Sequence, residues 1–402
     1  MKKHILFVSQ VFYPEQFRSN DICKEWVKRG YKITVLTGIP NYPEGDFFEG
    51  YSLFKKRREE WNGIDIIRIP IIPRKSGAIM LALNYFSFVF SGFFWSMFTK
   101  LEADEVFIYE TSPATQALPA VWYAKRKKIK CMMYVLDLWP ENVASILHTD
   151  NKFLLGGISK MMYYIYKRCD FIFTSSQSFI KKICALGISK EKLVFWPQYA
   201  EEFYCKYEGE DQVDAIPEDG ELNFTFAGNV GFAQGLEVLV QTAKILKEKG
   251  EYVRFNIIGD GRYMENFKKE IEVANVPNYF NFIGRKPATD IPKYFAKSDA
   301  SLITLGKSEV FAMTIPAKVQ SSMACGMPII ASIDGEAQEV IAQAQCGYCG
   351  EAASAKQLVN NIIKFKNCSK EKREEFSQNA MMYFKKNYEK SMLLDKIEVY
   401  LK

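Results

Sequence analysis

Thr314-Ile-Pro-Ala-Lys-Val-Gln-Ser-Ser-Met-Ala-Cys-Gly-Met-Pro-Ile-Ile-Ala-Ser332 decides how this chain is read. A hydroxyl, the turn-setting Pro316 and Lys318 lead into a short helix, Gly326 and Pro328 stop it, and an apolar strand follows. The first N–H groups of a helix have no intrahelical partner, so a helix start attracts phosphate. A lysine in the first turn opposes the helix macrodipole. An anion held between the lysine and the helix start removes that conflict. The competing reading is an ordinary βαβ corner with a solvated lysine.

Outward from this corner, short β-branched runs alternate with helical patterns, which predicts an α/β fold with parallel sheets. Strands are expected at 5–9, 32–37, 66–70, 105–109, 131–136 and 171–175, each with polar residues at its carboxyl end. Ser19, Asn20 and Asp21 are candidates to cap a helix ending at Gly30. An acidic, turn-rich linker spans 201–221. A second series follows at 222–227, 254–258, 280–283, 300–304 and 328–331, with a last helix over 370–388. The expected domains are 1–200, a linker at 201–221, a second domain over 222–375, and a C-terminal helix over 376–402 that crosses back to the first. Two Rossmann-like halves with parallel sheets facing a central cleft accommodate this order, and ligands of such sheets bind at the strands' carboxyl ends.

Composition constrains the function less. Hydrophobic content of 48% with 25% charged residues is that of a globular chain of two ordinary domains. A net charge of +6 suits a polyanionic or membrane-surface partner without demanding either. Met1-Lys-Lys-His leads straight into an apolar strand, and the nine cysteines have no framework spacing, so free thiols in the cytoplasm are expected. Cys346-Gly-Tyr-Cys349 reads as two partly buried residues at a turn rather than a metal site.

Residues 77–99 carry no charge and are long enough to cross a bilayer, with Arg74 and Lys75 before them and Lys100 after. A true span would put two parts of one sheet on opposite sides of a membrane. A helix half in the core and half facing a membrane surface is the preferred reading, ahead of a plain core helix.

The glycine turn of residues 227–235 brings Gly228, Asn229, Gly231 and Gln234 to a helix start, where backbone can approach a ligand closely. It is not GxGxxG, so a dinucleotide fingerprint is not supported. Gly259 ends another strand, and Arg285, after a third, is read as nucleotide-adjacent or solvated. In the first half, Asp137 and Glu141 flank the Trp139-Pro140 turn, and Glu15 and Arg18 leave the first strand. Asp137 could instead cap a helix. With only His4 and His148, no Ser/His/Asp arrangement or metal site suggests itself, so any base is a carboxylate.

In order along the chain, Phe12-Tyr-Pro-Glu15, Leu36-Thr-Gly-Ile-Pro-Asn-Tyr-Pro-Glu-Gly45, Asp137-Leu-Trp-Pro-Glu141, Ala227-Gly-Asn-Val-Gly-Phe-Ala-Gln-Gly235, Ile258-Gly-Asp-Gly261 and Thr314–Ser332 resemble bacterial family-4 glycosyltransferases of GT-B fold. The nearest group is the one that assembles capsule, O-antigen and colanic-type polysaccharides, the fucosamine transferases among them. The resemblance implies a nucleotide-sugar donor on the second domain and an acceptor on the first. It also implies metal-independent transfer with retention, and no cofactor, the nucleotide sugar being a substrate. The family's two glutamates, for the donor sugar and the ribose diol, fall here on Met313 and Ser321, and its Arg and Lys of the glycine turn fall on Asn229 and Gln234.

The expected reaction moves a sugar from a nucleoside diphosphate sugar, UDP-linked, to a lipid-linked saccharide at the cytoplasmic membrane face. Lys318 and the helix start would stabilise the departing diphosphate. Thr314, Pro316, Ser321 and Ser322 complete the donor set. Asp137 and Glu15 would orient the acceptor or the oxocarbenium-like centre, with Arg18, Trp139 and Glu141 on the acceptor side. No nucleic-acid partner is expected. The alternatives are a nucleotide-sugar epimerase of the same fold and a non-catalytic membrane-attached assembly subunit.

Overall fold

Eleven β-branched and aromatic runs were expected as strands, and all of them form strands of parallel sheets in the computed structural model, which describes residues 2–147, 149–209 and 215–401. These residues divide into two compact units, one of Met1–Trp196 with Ile397–Lys402 and one of Pro197–Lys396.

The first unit contains β1 (His4–Val8), α1 (Arg18–Lys28), β2 (Lys32–Thr37), β3 (Arg58–Trp61), β4 (Ile64–Arg68), α2 (Ala78–Phe98), β5 (Glu105–Glu110), α3 (Ala117–Lys127), β6 (Lys130–Val135), α4 (Glu141–Leu147), α5 (Lys152–Arg168), β7 (Phe171–Thr174), α6 (Gln177–Ala185) and β8 (Leu193–Phe195). Its sheet order is β3-β4-β2-β1-β5-β6-β7-β8. All neighbours are parallel except β3, which pairs antiparallel with β4. β3 was missed because its Arg-Glu-Glu-Trp sequence has no apolar run; it is an edge strand, where charge deters further pairing.

The second unit contains β9 (Asn223–Ala227), α7 (Glu237–Glu248), β10 (Arg254–Ile258), α8 (Met264–Val273), β11 (Phe280–Gly284), α9 (Ile291–Ala296), β12 (Ala300–Thr304), α10 (Glu309–Ala312), α11 (Ala317–Ala324), β13 (Ile329–Ser332), α12 (Glu336–Ala344), β14 (Gly347–Gly350), α13 (Ala355–Lys366), α14 (Lys370–Asn387) and α15 (Lys390–Glu398), the last running into the first unit. Its parallel sheet has the order β11-β10-β9-β12-β13-β14, the doubly wound Rossmann order. The Cys346–Cys349 stretch, expected at a turn, forms edge strand β14, with Cys346 buried and both thiols free.

In each sheet the order reverses beside the first strand, β1 or β9, and side chains from both faces close the core around it. The chain's last residues return to the first unit: Tyr400 packs on Phe171 and Phe173, and Glu398 pairs with Arg29 at 3.0 Å. The returning portion starts at Ile397, whereas α14 packs Phe376 into the second unit's core.

The expected helix at 77–99 is α2. Its buried residues, Asn84, Phe88, Gly92 and Ser96, fall every fourth position and so share one face. That face lies against α3. A Cβ at Gly92 would come within 2.3 Å of Pro119, and Arg126 donates to the carbonyls of Ser96 and Thr99, both at 2.8 Å. The opposite face exposes Ile79, Phe86, Phe90, Phe94 and Phe98. Apart from Phe88, small and polar residues point inward and aromatic ones outward, the reverse of a core helix in water.

Candidate active site

In the second unit the Thr314–Ser332 corner meets the glycine turn after β9. Pro316 occupies the N-cap position of α11 in extended conformation, and Lys318 follows in the first turn. The Lys318 side chain is half-buried rather than fully solvated. Its Nζ donates to Gln234 Oε1 and lies 3.8 Å from the centroid of the Phe226 ring. Burial lowers its pKa from 10.5 to about 7. An ammonium with one amide and one ring as partners is under-compensated, and an anion is the group that would complete it.

Two glycines make room for this side chain. A Cβ on Gly228 (φ +147°) would lie 2.6 Å from Lys318 Cε, and one on Gly259 (φ +136°) only 1.9 Å from the Gly228 carbonyl. The turn is fastened by Gly228 N–H to Ile258 O and Val230 N–H to Asp260 O, both 2.9 Å, and by Thr304 Oγ1 donating to Gln234 O at 2.7 Å. The ends of β9, β10 and β12 thus converge on one corner at the switch point of the sheet.

The other donor-side residues divide. A Cβ at Gly231 would meet Asn229 Nδ2 at 2.7 Å, so these two lie together in the turn. Ser321 Oγ donates to Lys318 O at 3.2 Å, within the same helix. Thr314 Oγ1 donates to Phe311 O at 2.9 Å. Met313, at one of the two expected glutamate positions, is buried. Arg285 is exposed after β11. Ser322 does not face the corner: it is buried and shares a 2.7 Å hydrogen bond with Ser301. This corrects its place in the donor set, since a hydroxyl tied to β12 inside the core cannot reach a ligand.

In the first unit Glu15 also departs from expectation. It is buried, and its carboxylate accepts three backbone N–H groups: Phe12 at 3.1 Å, Asn41 at 2.8 Å and Tyr42 at 2.7 Å. Burial raises its pKa, and these bonds oppose the shift. A carboxylate so occupied ties the loop after β1 to the loop after β2, rather than presenting its oxygens to an acceptor or an oxocarbenium-like centre. The two motifs it joins, Phe12–Glu15 and Leu36–Gly45, are both part of the resemblance, but their link through one side chain carries no spacing signal. Asn20, expected as a cap, donates to Glu15 O at 2.7 Å, and α1 starts earlier, at Arg18.

Asp137 is half-buried and does not cap a helix. Its Oδ2 accepts the Ser112 N–H at 2.7 Å, and Trp139 Nε1 donates to Ser112 Oγ at 3.2 Å. Ser112 was missed because it acts through its backbone. Glu110, also missed, is fully buried at the end of β5; burial, then the Asp137 charge, pushes its carboxyl well above the usual range. Glu141 opens α4, and Arg18 opens α1. His4 Nε2 shares a 2.8 Å hydrogen bond with Thr34 Oγ1, a structural role; His148 lies outside the described residues. Among the described residues no three His, Cys, Asp or Glu side chains converge as a metal site.

Two doubly wound units, each with polar residues at its strands' carboxyl ends, define a GT-B fold. Solved structures share it along the whole chain. Sucrose-phosphate synthase from Thermosynechococcus elongatus matches with a TM-score of 0.72 at 13% identity, covering 99% of this chain and 98% of that one. HepE of Anabaena, solved with UDP and glucose, matches with a TM-score of 0.68 at 15% identity, covering 99% of both chains.

Residues 209–382 match the family described as glycosyl transferases group 1. WcaI of Escherichia coli (strain K12), named for colanic acid biosynthesis, is 24% identical over 316 residues, 75% of each chain. WbjE of Pseudomonas aeruginosa, named a glycosyltransferase, is 27% identical over 263 residues, 62% of this chain and 63% of that one. Residues 209–382 thus carry the group 1 glycosyltransferase match, the fold is GT-B throughout, and the chain is distantly similar to WcaI and WbjE.

Proposed function

We propose that this glycosyltransferase moves a hexosyl or N-acetylhexosaminyl group from a UDP-linked sugar to a lipid-linked saccharide in surface-polysaccharide assembly. It acts with retention, without a metal ion, on the cytoplasmic face of the membrane. The observation that carries the donor side is the half-buried Lys318 at a glycine-lined corner, a cation with no anionic partner among the described residues. The diphosphate would lie against its ammonium and the start of α11, and developing charge on the leaving group would be met there. HepE of the same fold is solved with UDP-glucose, which favours UDP as the carrier. WcaI, named for colanic acid biosynthesis, favours a capsule or O-antigen type of product. In transfer with retention by same-face attack, the leaving phosphate takes the acceptor proton, so Asp137 serves to orient the acceptor.

The membrane side rests on α2. By length and composition this helix could cross a bilayer. The strands before and after it, β4 and β5, belong to one sheet, and its inner face is fastened to α3. It therefore lies in the membrane surface with its phenylalanines in the acyl region. The test is mass spectrometry of products from UDP- and GDP-sugars offered with a lipid-diphosphate saccharide. Release of UDP dependent on the acceptor, with a matching glycosylated lipid, supports the reading. Absence of nucleotide-sugar binding by calorimetry overturns it.

A further inference from the structure

The inner face of α2 carries a buried amide. Asn84 is 2% exposed. Its Oδ1 accepts from Gln10 Nε2 at 2.8 Å, and its Nδ2 donates to the Ile72 carbonyl at 2.6 Å. Burying amides costs desolvation that their hydrogen bonds only partly return, so an apolar residue would serve packing as well. What the amide adds is connection.

Gln10 leaves the carboxyl end of β1 and is itself buried. Its backbone N–H donates to Gln116 Oε1 at 2.6 Å, and Gln116 Nε2 donates to the Thr111 carbonyl, also at 2.6 Å. Across that peptide bond, the Ser112 N–H holds Asp137 Oδ2 at 2.7 Å. In the other direction the Gln10 carbonyl accepts from Gly38 N–H at 3.0 Å and Thr37 Oγ1 at 3.1 Å. These begin the loop whose Asn41 and Tyr42 amides hold Glu15. Three buried amides thus join the helix with the outward phenylalanines to the loops around Asp137 and Glu15. Of their side-chain polar atoms only Gln10 Oε1 lacks a partner, and networks paired to this degree fix one geometry in a low dielectric.

We propose that Asn84 is a positioning residue for the acceptor side of transfer, linking the seat of α2 to the Asp137 carboxylate through Gln10 and Gln116. The inference rests on the transferase reading above. Without Asn84 the Gln10 side chain loses its acceptor, the loop carrying Ser112 is no longer fixed relative to α2, and Asp137 is misplaced while the second unit is untouched. Misplacement of an orienting group lowers kcat more than it weakens donor binding.

The experiment compares full-length wild type, Asn84→Ala, and the swap Gln10→Asn/Asn84→Gln, which keeps an amide pair of the same total length. Transfer to a lipid-diphosphate saccharide is measured beside UDP binding and melting temperature. The expected result for Asn84→Ala is a tenfold or greater fall in transfer kcat, with unchanged UDP affinity and unchanged KM for the donor. The swap recovers most of that fall. Two results overturn the inference: Asn84→Ala transferring at the wild-type rate, or Asn84→Ala losing UDP affinity by the same factor as transfer. A wild type that transfers nothing from any donor instead overturns the transferase reading, so the two failures are separable.

Discussion

Lys318 Nζ lies 3.8 Å from the centre of the ring of Phe226, the penultimate residue of β9, and it has no ion-pair partner among the described residues. The sequence-level conflict at this helix start is therefore real in three dimensions: a first-turn lysine faces a positive helix end and is half-buried there as well. Folding alone gives no reason to keep it. Lys318→Met fills the same channel with an apolar chain of similar length and removes the buried amine. A pKa lowered from 10.5 to about 7, at about 1.4 kcal/mol per unit, corresponds to a cost of a few kcal/mol near neutral pH. The expected outcome is a variant that melts higher than wild type and no longer binds UDP by calorimetry. A variant that melts lower, or binds UDP as well as wild type, would remove the anion-site role.

The same lysine predicts a pH dependence with a definite sign. In the free protein burial holds its pKa near 7, and a bound diphosphate would raise it by favouring the ammonium. Binding then takes up a proton between the two pKa values. UDP affinity is highest below pH 7 and falls as pH rises above it, until the pKa of the complex is passed. The fold behaves oppositely: its pKa lies below the unfolded value, so the lysine's destabilising contribution is full below about pH 7 and fades as pH rises toward 10.5. Calorimetry in buffers of different ionisation enthalpy reads the proton uptake directly. Proton release, or affinity independent of pH between 6 and about 9, contradicts the assignment.

Glu15 predicts a graded loss of stability rather than of chemistry. Its Oε1 accepts two backbone N–H groups and its Oε2 accepts one. Gln keeps one oxygen for the pair at Asn41 and Tyr42 but turns an NH2 toward the Phe12 N–H. Ala loses all three and leaves buried donors unpaired. At about 1–3 kcal/mol for each unsatisfied buried group, Glu15→Ala costs several kcal/mol and Glu15→Gln clearly less. Denaturant unfolding of the two variants checks the order. Equal losses, or full stability with lost activity, would return Glu15 to a chemical role.

The strands, their parallel pairing and the two-unit order were legible because buried parallel strands write themselves as apolar runs. The exceptions are instructive. β3 is Arg-Glu-Glu-Trp at a sheet edge and β14 is Gly-Tyr-Cys-Gly, so neither carries the run that marks a strand, and edge strand β8 is only the three residues Leu-Val-Phe. At the site, Lys318 was found because its charge contradicts its place in a helix. Ser112 was not, because its backbone N–H does the work and any residue but proline carries one. Ser322 and Glu15 were assigned roles at an open cleft from their places in two motifs. Three-dimensional neighbours that no local spacing reveals, Ser301 for one and the Asn41–Tyr42 amides for the other, use up their polar atoms.

The outer face of α2 gives the clearest test of where the protein works. Phe86, Phe90 and Phe98 are each at least two-thirds exposed. Replacing them with serine therefore removes little packing from the folded chain. In water the triple variant is expected to melt at about the wild-type temperature and to be less prone to aggregate. On a bilayer the change is large, because each phenylalanine that leaves water is worth roughly 1.5–3 kcal/mol. Even partial immersion of three rings makes a hundredfold fall in partitioning a conservative expectation. Arg74 and Lys75 before the helix and Lys100 after it add attraction to anionic headgroups, each worth about 1 kcal/mol near such a surface. Binding of wild type to phosphatidylglycerol vesicles is thus expected to weaken with salt without vanishing, while the triple variant falls to the baseline at every salt concentration. Co-sedimentation with vesicles measures both. If the triple variant sediments like wild type, α2 is not the membrane face, and its exposed rings must instead serve a protein partner.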